Sequence, residues 1–202
     1  MTPTVTARSL KIGVLALQGD FHEHAAALRR LGAEPVEVRT AAQLATVHGL
    51  IIPGGESTSM AKLMDAYGLR EPLRNFGLSG APVWGTCAGL ILLADRLTDD
   101  RPEPLRLMDI VVSRNGFGRQ VDSFETDLSL DGVPGGAFHA VFIRAPLIRE
   151  TGPDVQVLAA LEDGRPVAAR QGNLLATAFH PELTPDDRIH AYFMEMMAAK
   201  AV

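Results

Sequence analysis

Between Lys11 and Leu93 the chain alternates short apolar runs with segments of helical periodicity, which restricts it to a parallel sheet crossed by helices. Lys11 to Leu17 is almost continuously apolar, with Ile12, Val14 and Leu15, as a strand buried on both faces should be. Gln18-Gly19-Asp20 interrupts it. Asp20, with Glu23 three residues on, predicts a helix start, and that helix should run to Leu31 and stop at Gly32. Pro35 to Arg39 predicts a second strand, and Gly49 to Ile52 a third that ends in Pro53-Gly54-Gly55. A helix over Ser57 to Tyr67 should stop at Gly68. Ala81 to Gly85 reads as a further strand, and Ala88 to Leu93 resumes a helical pattern directly after it.

Beyond Met108 the texture changes to short runs punctuated by Gly and Pro. Ile110 to Val112, Gln120 to Phe124, Phe138 to Arg144, Val155 to Leu161, Pro166 to Arg170 and Leu174 to Ala178 predict additional, partly antiparallel strands. Asp186 to Lys200 predicts a closing amphipathic helix, capped near Thr184 or Asp186. The expected class is α/β: one domain, a mostly parallel sheet flanked by helices, with added antiparallel strands. A length of 202 residues suits one such domain, and 47% hydrophobic against 21% charged residues excludes disorder. The net charge of −5 contains no block of like charges, which argues against a nucleic-acid or membrane partner. No apolar stretch reaches the length of a membrane span, and Met1 to Ser9 lacks a signal-peptide layout. A cytoplasmic location is expected. The single cysteine excludes an intrachain disulfide and a cysteine-cluster zinc site.

That cysteine, Cys87, is either a small core residue or a nucleophile, and its neighbours decide. Gly85-Thr86-Cys87-Ala88-Gly89 lies where a buried strand turns into a helix, the arrangement of a nucleophile elbow. The helix N-terminus favours a thiolate there, and the Ala88 N–H faces any oxyanion formed. Close strand–helix packing alone would also ask for the two glycines.

Six histidines are candidates for the base. His22 and His24 lack the spacing of a zinc protease and are expected to be solvated or interfacial. His48, His139 and His190 have no distinguishing neighbours in sequence. His180 follows the apolar run Leu174 to Phe179, so it stands at a strand's C-terminal end, where open α/β sheets place their chemistry. Pro181 stiffens the turn and Glu182 offers a carboxylate to orient the imidazole. A capped turn before the last helix is the plainer alternative for His-Pro-Glu taken alone.

A Gly-x-Cys-x-Gly elbow followed downstream by His-x-Glu resembles the class I, triad-type glutamine amidotransferases, whose fold is flavodoxin-like. Finer motifs resemble one branch, the glutaminase subunit of pyridoxal 5′-phosphate synthase. They are Gly13-Val14-Leu15-Ala16-Leu17-Gln18-Gly19-Asp20, Pro53-Gly54-Gly55-Glu56-Ser57-Thr58, Arg114-Asn115-Gly116-Phe117-Gly118-Arg119-Gln120, Phe142-Ile143-Arg144-Ala145-Pro146 and His180-Pro181-Glu182-Leu183-Thr184. The resemblance covers residues 10–202 as a glutaminase domain and leaves 1–9 as an N-terminal extension. It implies a Cys87–His180–Glu182 triad, Gly55 and Ala88 as oxyanion donors, and a glutamine site of Gly54, Gly55, Glu56, Arg114, Ile143 and Arg144. It implies L-glutamine as substrate, no metal or organic cofactor, and ammonia channelled to a synthase subunit in a hetero-oligomer. Docking of that subunit would activate the glutaminase, with the Gln18–Asp20 loop and the first helix as interface candidates. Rival readings are a glutaminase of another pathway such as histidine synthesis, a γ-glutamyl peptidase on the same fold, and a non-catalytic regulatory subunit. The Arg114 and Phe142 motifs oppose the first, and the intact triad opposes the last.

Overall fold

A computed structural model describes residues 10–114, 116 and 123–198. Its first half follows the predicted alternation: β1 (Lys11–Leu15), α1 (Phe21–Arg30), β2 (Glu34–Val38), α2 (Ala41–Leu44), β3 (Gly49–Ile52), α3 (Ser57–Ala66), α4 (Arg70–Leu78), β4 (Val83–Thr86) and α5 (Ala88–Leu93). The second half is mostly strand: β5 (Ala94–Leu97), β6 (Met108–Ser113), β7 (Ser123–Leu128), β8 (Phe138–Ile143), β9 (Leu147–Thr151), β10 (Gln156–Ala160), β11 (Pro166–Gln171) and β12 (Leu174–Thr177). A single 3-10 turn at Pro181–Leu183 precedes α6 (Arg188–Ala198).

The main sheet has seven strands in the order β10-β11-β12-β4-β3-β1-β2. From β2 to β12 every pairing is parallel, and β11 and β10 extend that edge antiparallel. The four residues of β3 and of β4 are all buried, which explains why all but Thr86 are apolar or glycine. Beside this sheet stand a three-stranded sheet, β5-β6-β9, and the antiparallel hairpin β7–β8.

Because β1 sits between β2 and β3, the chain winds outward on one side of β1 and returns on the other. The crevice at the C-terminal ends of β1 and β3 is therefore a topological switch point, where doubly wound sheets hold ligands. Gln18-Gly19-Asp20 leaves β1 there and Pro53-Gly54-Gly55-Glu56 leaves β3. The elbow glycines have the packing role that close strand–helix contact demands. A Cβ on Gly85 would meet the Gly89 backbone at 2.5 Å, and one on Gly89 would run into the Ile52 carbonyl. They seat α5 directly on β3 and β4.

Departures from expectation are local. The sequence pattern does not predict the short elements α2, α4, β5 and β9. Of these, β5 and β9 pair with β6, which no local pattern announces. The strand expected to begin at Gln120 starts at Ser123 within the described residues, and Lys200 and residues 1–9 lie outside them. Among the described residues no helix is long and apolar enough to cross a membrane.

Candidate active site

Cys87 is the residue between β4 and α5, and its backbone has φ +46° and ψ −101°, a conformation non-glycine residues rarely adopt. The strain is held by its surroundings: the Cys87 N–H donates to the Thr177 carbonyl at 2.8 Å, and the following helix packs against β3. Buried at 6% exposure, the thiol lies 3.9 Å from the Ile143 carbonyl. Ala88 opens α5, so its N–H has no intrahelical acceptor.

His180 stands three residues beyond β12, the parallel neighbour of β4, so adjacent strands bring Cys87 and His180 to the same end of the sheet. Its N–H donates to the Val141 carbonyl at 2.9 Å, which anchors the turn to β8. The Pro181–Leu183 turn brings Glu182 round so that its Oε1 lies 2.8 Å from His180 Nδ1. A second carboxylate oxygen, Asp20 Oδ2, stands 3.4 Å from the same nitrogen. Burial works against a charged ring, but hydrogen bonding to Asp20, Cys87 and Glu182 outweighs it, and His180 is pushed up to about 12. Burial also raises the Glu182 carboxyl, against the pull of His180. Hydrogen bonding thus favours the charged form of the His180 ring, with Nδ1 turned to Glu182 Oε1. Asp20, His180 and Glu182 have atoms close enough to hold a cation, but Nδ1 is already engaged by Glu182. We read the cluster as a hydrogen-bonded triad with an added carboxylate.

A cleft of about 410 Å³ opens over Cys87. Gly55, Glu56, Ala88, Arg114, Ile143, Arg144 and His180 all line it, so the structure gathers the expected residues from distant segments of the chain. Gly54 lies behind the base: a Cβ there would strike the His180 ring, with Nδ1 at 2.8 Å. Its carbonyl accepts from the Asp20 N–H at 3.2 Å, tying the two switch-point loops together. Gly54→Ala should displace the imidazole and lower kcat by about 10²-fold while the protein stays folded, as steady-state kinetics and circular dichroism will show.

Glu56 caps α3, accepting from the N–H groups of Thr58 (3.0 Å) and Ser59 (2.7 Å) and from the Ser59 hydroxyl. Desolvation resists its charge, but these bonds prevail and lower its carboxyl from 4.5 to about 2. Arg114 Nη2 is 3.6 Å from Glu56 Oε1, and Arg114 Nη1 donates to the Arg101 carbonyl at 3.0 Å. Arg144 has φ +42° at the cleft wall. Since the folded Glu56 carboxyl is depressed, its stabilising effect is present above pH 4.5 and lost as pH falls towards about 2. Glu56→Ala should cost about 1 kcal/mol in urea unfolding at pH 7, and the deficit should shrink across that acid window. Asn115, Phe117, Gly118, Arg119 and Gln120 of the Arg114 motif lie outside the described residues.

One histidine differs from the sequence expectation, and others gain neighbours that the sequence does not show. His24 is fully buried rather than solvated or interfacial, and His190 is its hydrogen-bonded neighbour. His139 lies between Asp127 and Glu125, 2.9 Å from each. Asp20, expected as a helix cap, makes no side-chain cap bond and turns to His180 instead. A signal for His24 is present in α1: His24 and Leu28, four apart, share one face, and both are buried.

The doubly wound sheet has the fold of the class I glutamine amidotransferases, and its cysteine elbow shares one cleft with His180. The chain belongs to the SNO glutamine amidotransferase family, whose sequence profile matches residues 14–199. It is 57% identical to the protein named pyridoxal 5′-phosphate synthase subunit PdxT of Acidothermus cellulolyticus, over 98% of this chain and 99% of that one. The PdxT protein of Dehalococcoides mccartyi is 59% identical over 93% of this chain and 97% of its own. Among solved structures, one described as a glutamine amidotransferase superposes with a TM-score of 0.87 at 49% identity, covering 93% of this chain and 98% of that chain. A GMP synthase homologue from Thermoplasma acidophilum, at 19% identity and TM-score 0.70 over 96% of each chain, shares the fold.

Proposed function

We propose that this chain is the glutaminase of a pyridoxal 5′-phosphate synthase, hydrolysing L-glutamine through Cys87, His180 and Glu182 and passing the ammonia to a synthase subunit. The observation that carries the chemistry is the Cys87 elbow at φ +46° facing an imidazole whose Nδ1 is 2.8 Å from a buried carboxylate. Cys87 Sγ attacks the carboxamide carbon and the carbonyl electron pair moves to oxygen, where the N–H groups of Gly55 and Ala88 receive the negative charge. Collapse breaks the C–N bond as His180 gives its Nε2 proton to the departing ammonia. Water then loses a proton to His180 and attacks the thioester, releasing glutamate and restoring the thiolate–imidazolium pair. Glutamine and water thus become glutamate and ammonia with no external reductant or oxidant.

In the substrate site, Glu56 complements the α-ammonium of glutamine, and Arg114 or Arg144 complements the α-carboxylate. The cleft lining and the Glu56–Arg114 contact support that placement. The pathway reading is supported by near full-length likeness to proteins named as subunits of pyridoxal 5′-phosphate synthase. Co-purification with such a synthase subunit, followed by an assay for pyridoxal 5′-phosphate with glutamine as nitrogen source, tests it. A complex whose product formation needs Cys87 is expected. Ammonia release from glutamine without any complex would leave the thiol chemistry and remove the pathway.

A further inference from the structure

We propose that His24 is a positioning residue for this reaction, its Nε2–H bracing the second carboxylate oxygen of Glu182 so that the first stays aimed at His180. Glu182 is fully buried at its side chain, and its Oε1 lies 2.8 Å from His180 Nδ1. Oε2 is buried and makes no hydrogen bond of ordinary geometry among the described residues. A carboxylate oxygen left so would cost a large desolvation penalty and leave the group free to rotate about its last bond. The group facing it is His24 Nε2, 3.4 Å away and fully buried.

The tautomer of His24 follows from its two contacts. His24 Nδ1 lies 2.9 Å from His190 Nε2, and His24 Nε2 lies 3.2 Å from the Thr86 hydroxyl. Burial first, then the neighbouring His190 and His180, keep the His24 ring neutral, and burial likewise lowers His190 to about 4. Each ring therefore carries one proton. Among the described residues His190 Nδ1 is buried without a partner, a smaller penalty for a bare lone pair than for an unpaired N–H. The His190 proton accordingly sits on Nε2 and is donated to His24 Nδ1, which places the His24 proton on Nε2, towards Thr86 and Glu182. The opposite tautomer would turn a bare nitrogen lone pair on a carboxylate. Trp84 fixes both ring planes edge-on, at 5.5 Å from His24 and 4.9 Å from His190. Thr86 is the residue before Cys87, so His24 links α1, the elbow strand and the triad carboxylate.

The test compares His24→Leu, which removes the donor at similar volume, with His24→Gln, whose amide N–H reaches a similar position. In glutamine hydrolysis by the chain with its synthase partner, His24→Leu should lower kcat roughly tenfold or more with KM for glutamine unchanged, because His24 lines no part of the cleft. His24→Gln should recover most of kcat. Equal impairment of both variants, or full activity of His24→Leu, overturns the proposal. Should either variant fail to fold, 15N NMR of histidine-labelled unmodified protein decides: a proton on Nε2 of His24 is expected, and one on Nδ1 overturns it. The proposal rests on the thiol glutaminase reading. Unmodified protein that releases no ammonia defeats that reading, whereas an active protein indifferent to His24 defeats this proposal alone.

Discussion

Cys87→Ala is expected to abolish ammonia release from glutamine, by about 10⁴-fold or more, while leaving the fold intact. The reasoning is that every other component acts through the sulfur. The elbow strain, the helix N-terminus and the imidazolium of His180 each raise the reactivity of this one atom, and no second thiol exists in the chain to replace it. Alanine keeps the Cβ and the same strained backbone and loses only the sulfur, so stability should change by about 1 kcal/mol at most. Coupled detection of ammonia and glutamate checks the activity, and urea unfolding the fold.

Glu182→Gln is expected to lower kcat by about 10³-fold with KM for glutamine little changed. The amide is nearly isosteric but cannot satisfy both sides. With its oxygen towards His180 Nδ1, its NH₂ meets the His24 nitrogen that stands 3.4 Å from Oε2. With the amide turned over, an NH₂ faces Nδ1 at the site of a 2.8 Å contact and drives the His180 proton to the other nitrogen, where it no longer serves the thiol. The buried carboxylate also favours the charged ring, so the variant should lose part of the raised proton affinity of His180. Parallel measurement of kcat, KM and the His180 15N shifts resolves the two effects.

The parallel half of the fold is legible in the sequence because β1, β3 and β4 are buried on both faces and almost wholly apolar, while the edge strand β2 shows itself by Val36 and Val38 alternating with glutamates. β3 and α5 occupy the predicted residues, and β1, β2 and β4 shift by a few. Local pattern says nothing of partners, so β5 and β9, which exist by pairing with β6, are invisible to it. The meeting of Cys87 and His180 is legible for a similar reason: each follows a buried strand, β4 or β12, and those strands run parallel side by side. Asp20 stands out in the sequence only as a helix start, since a helix start and a site carboxylate look alike there. His24 and His190 escape a sequence reading because their meaning lies in a contact across 166 positions, with Glu182 on the far side of His24. Gly54 enters the site by resemblance, but its physical reason is the His180 ring behind it, which only the tertiary structure supplies.

The most direct test of the account is acid quenching of the protein during glutamine turnover, followed by peptide mass spectrometry. A γ-glutamyl group joined through a thioester to Cys87 is predicted during turnover, and it should be absent from Cys87→Ala. Steady release of ammonia with the Cys87 peptide unmodified throughout, or undiminished release by Cys87→Ala, would contradict it.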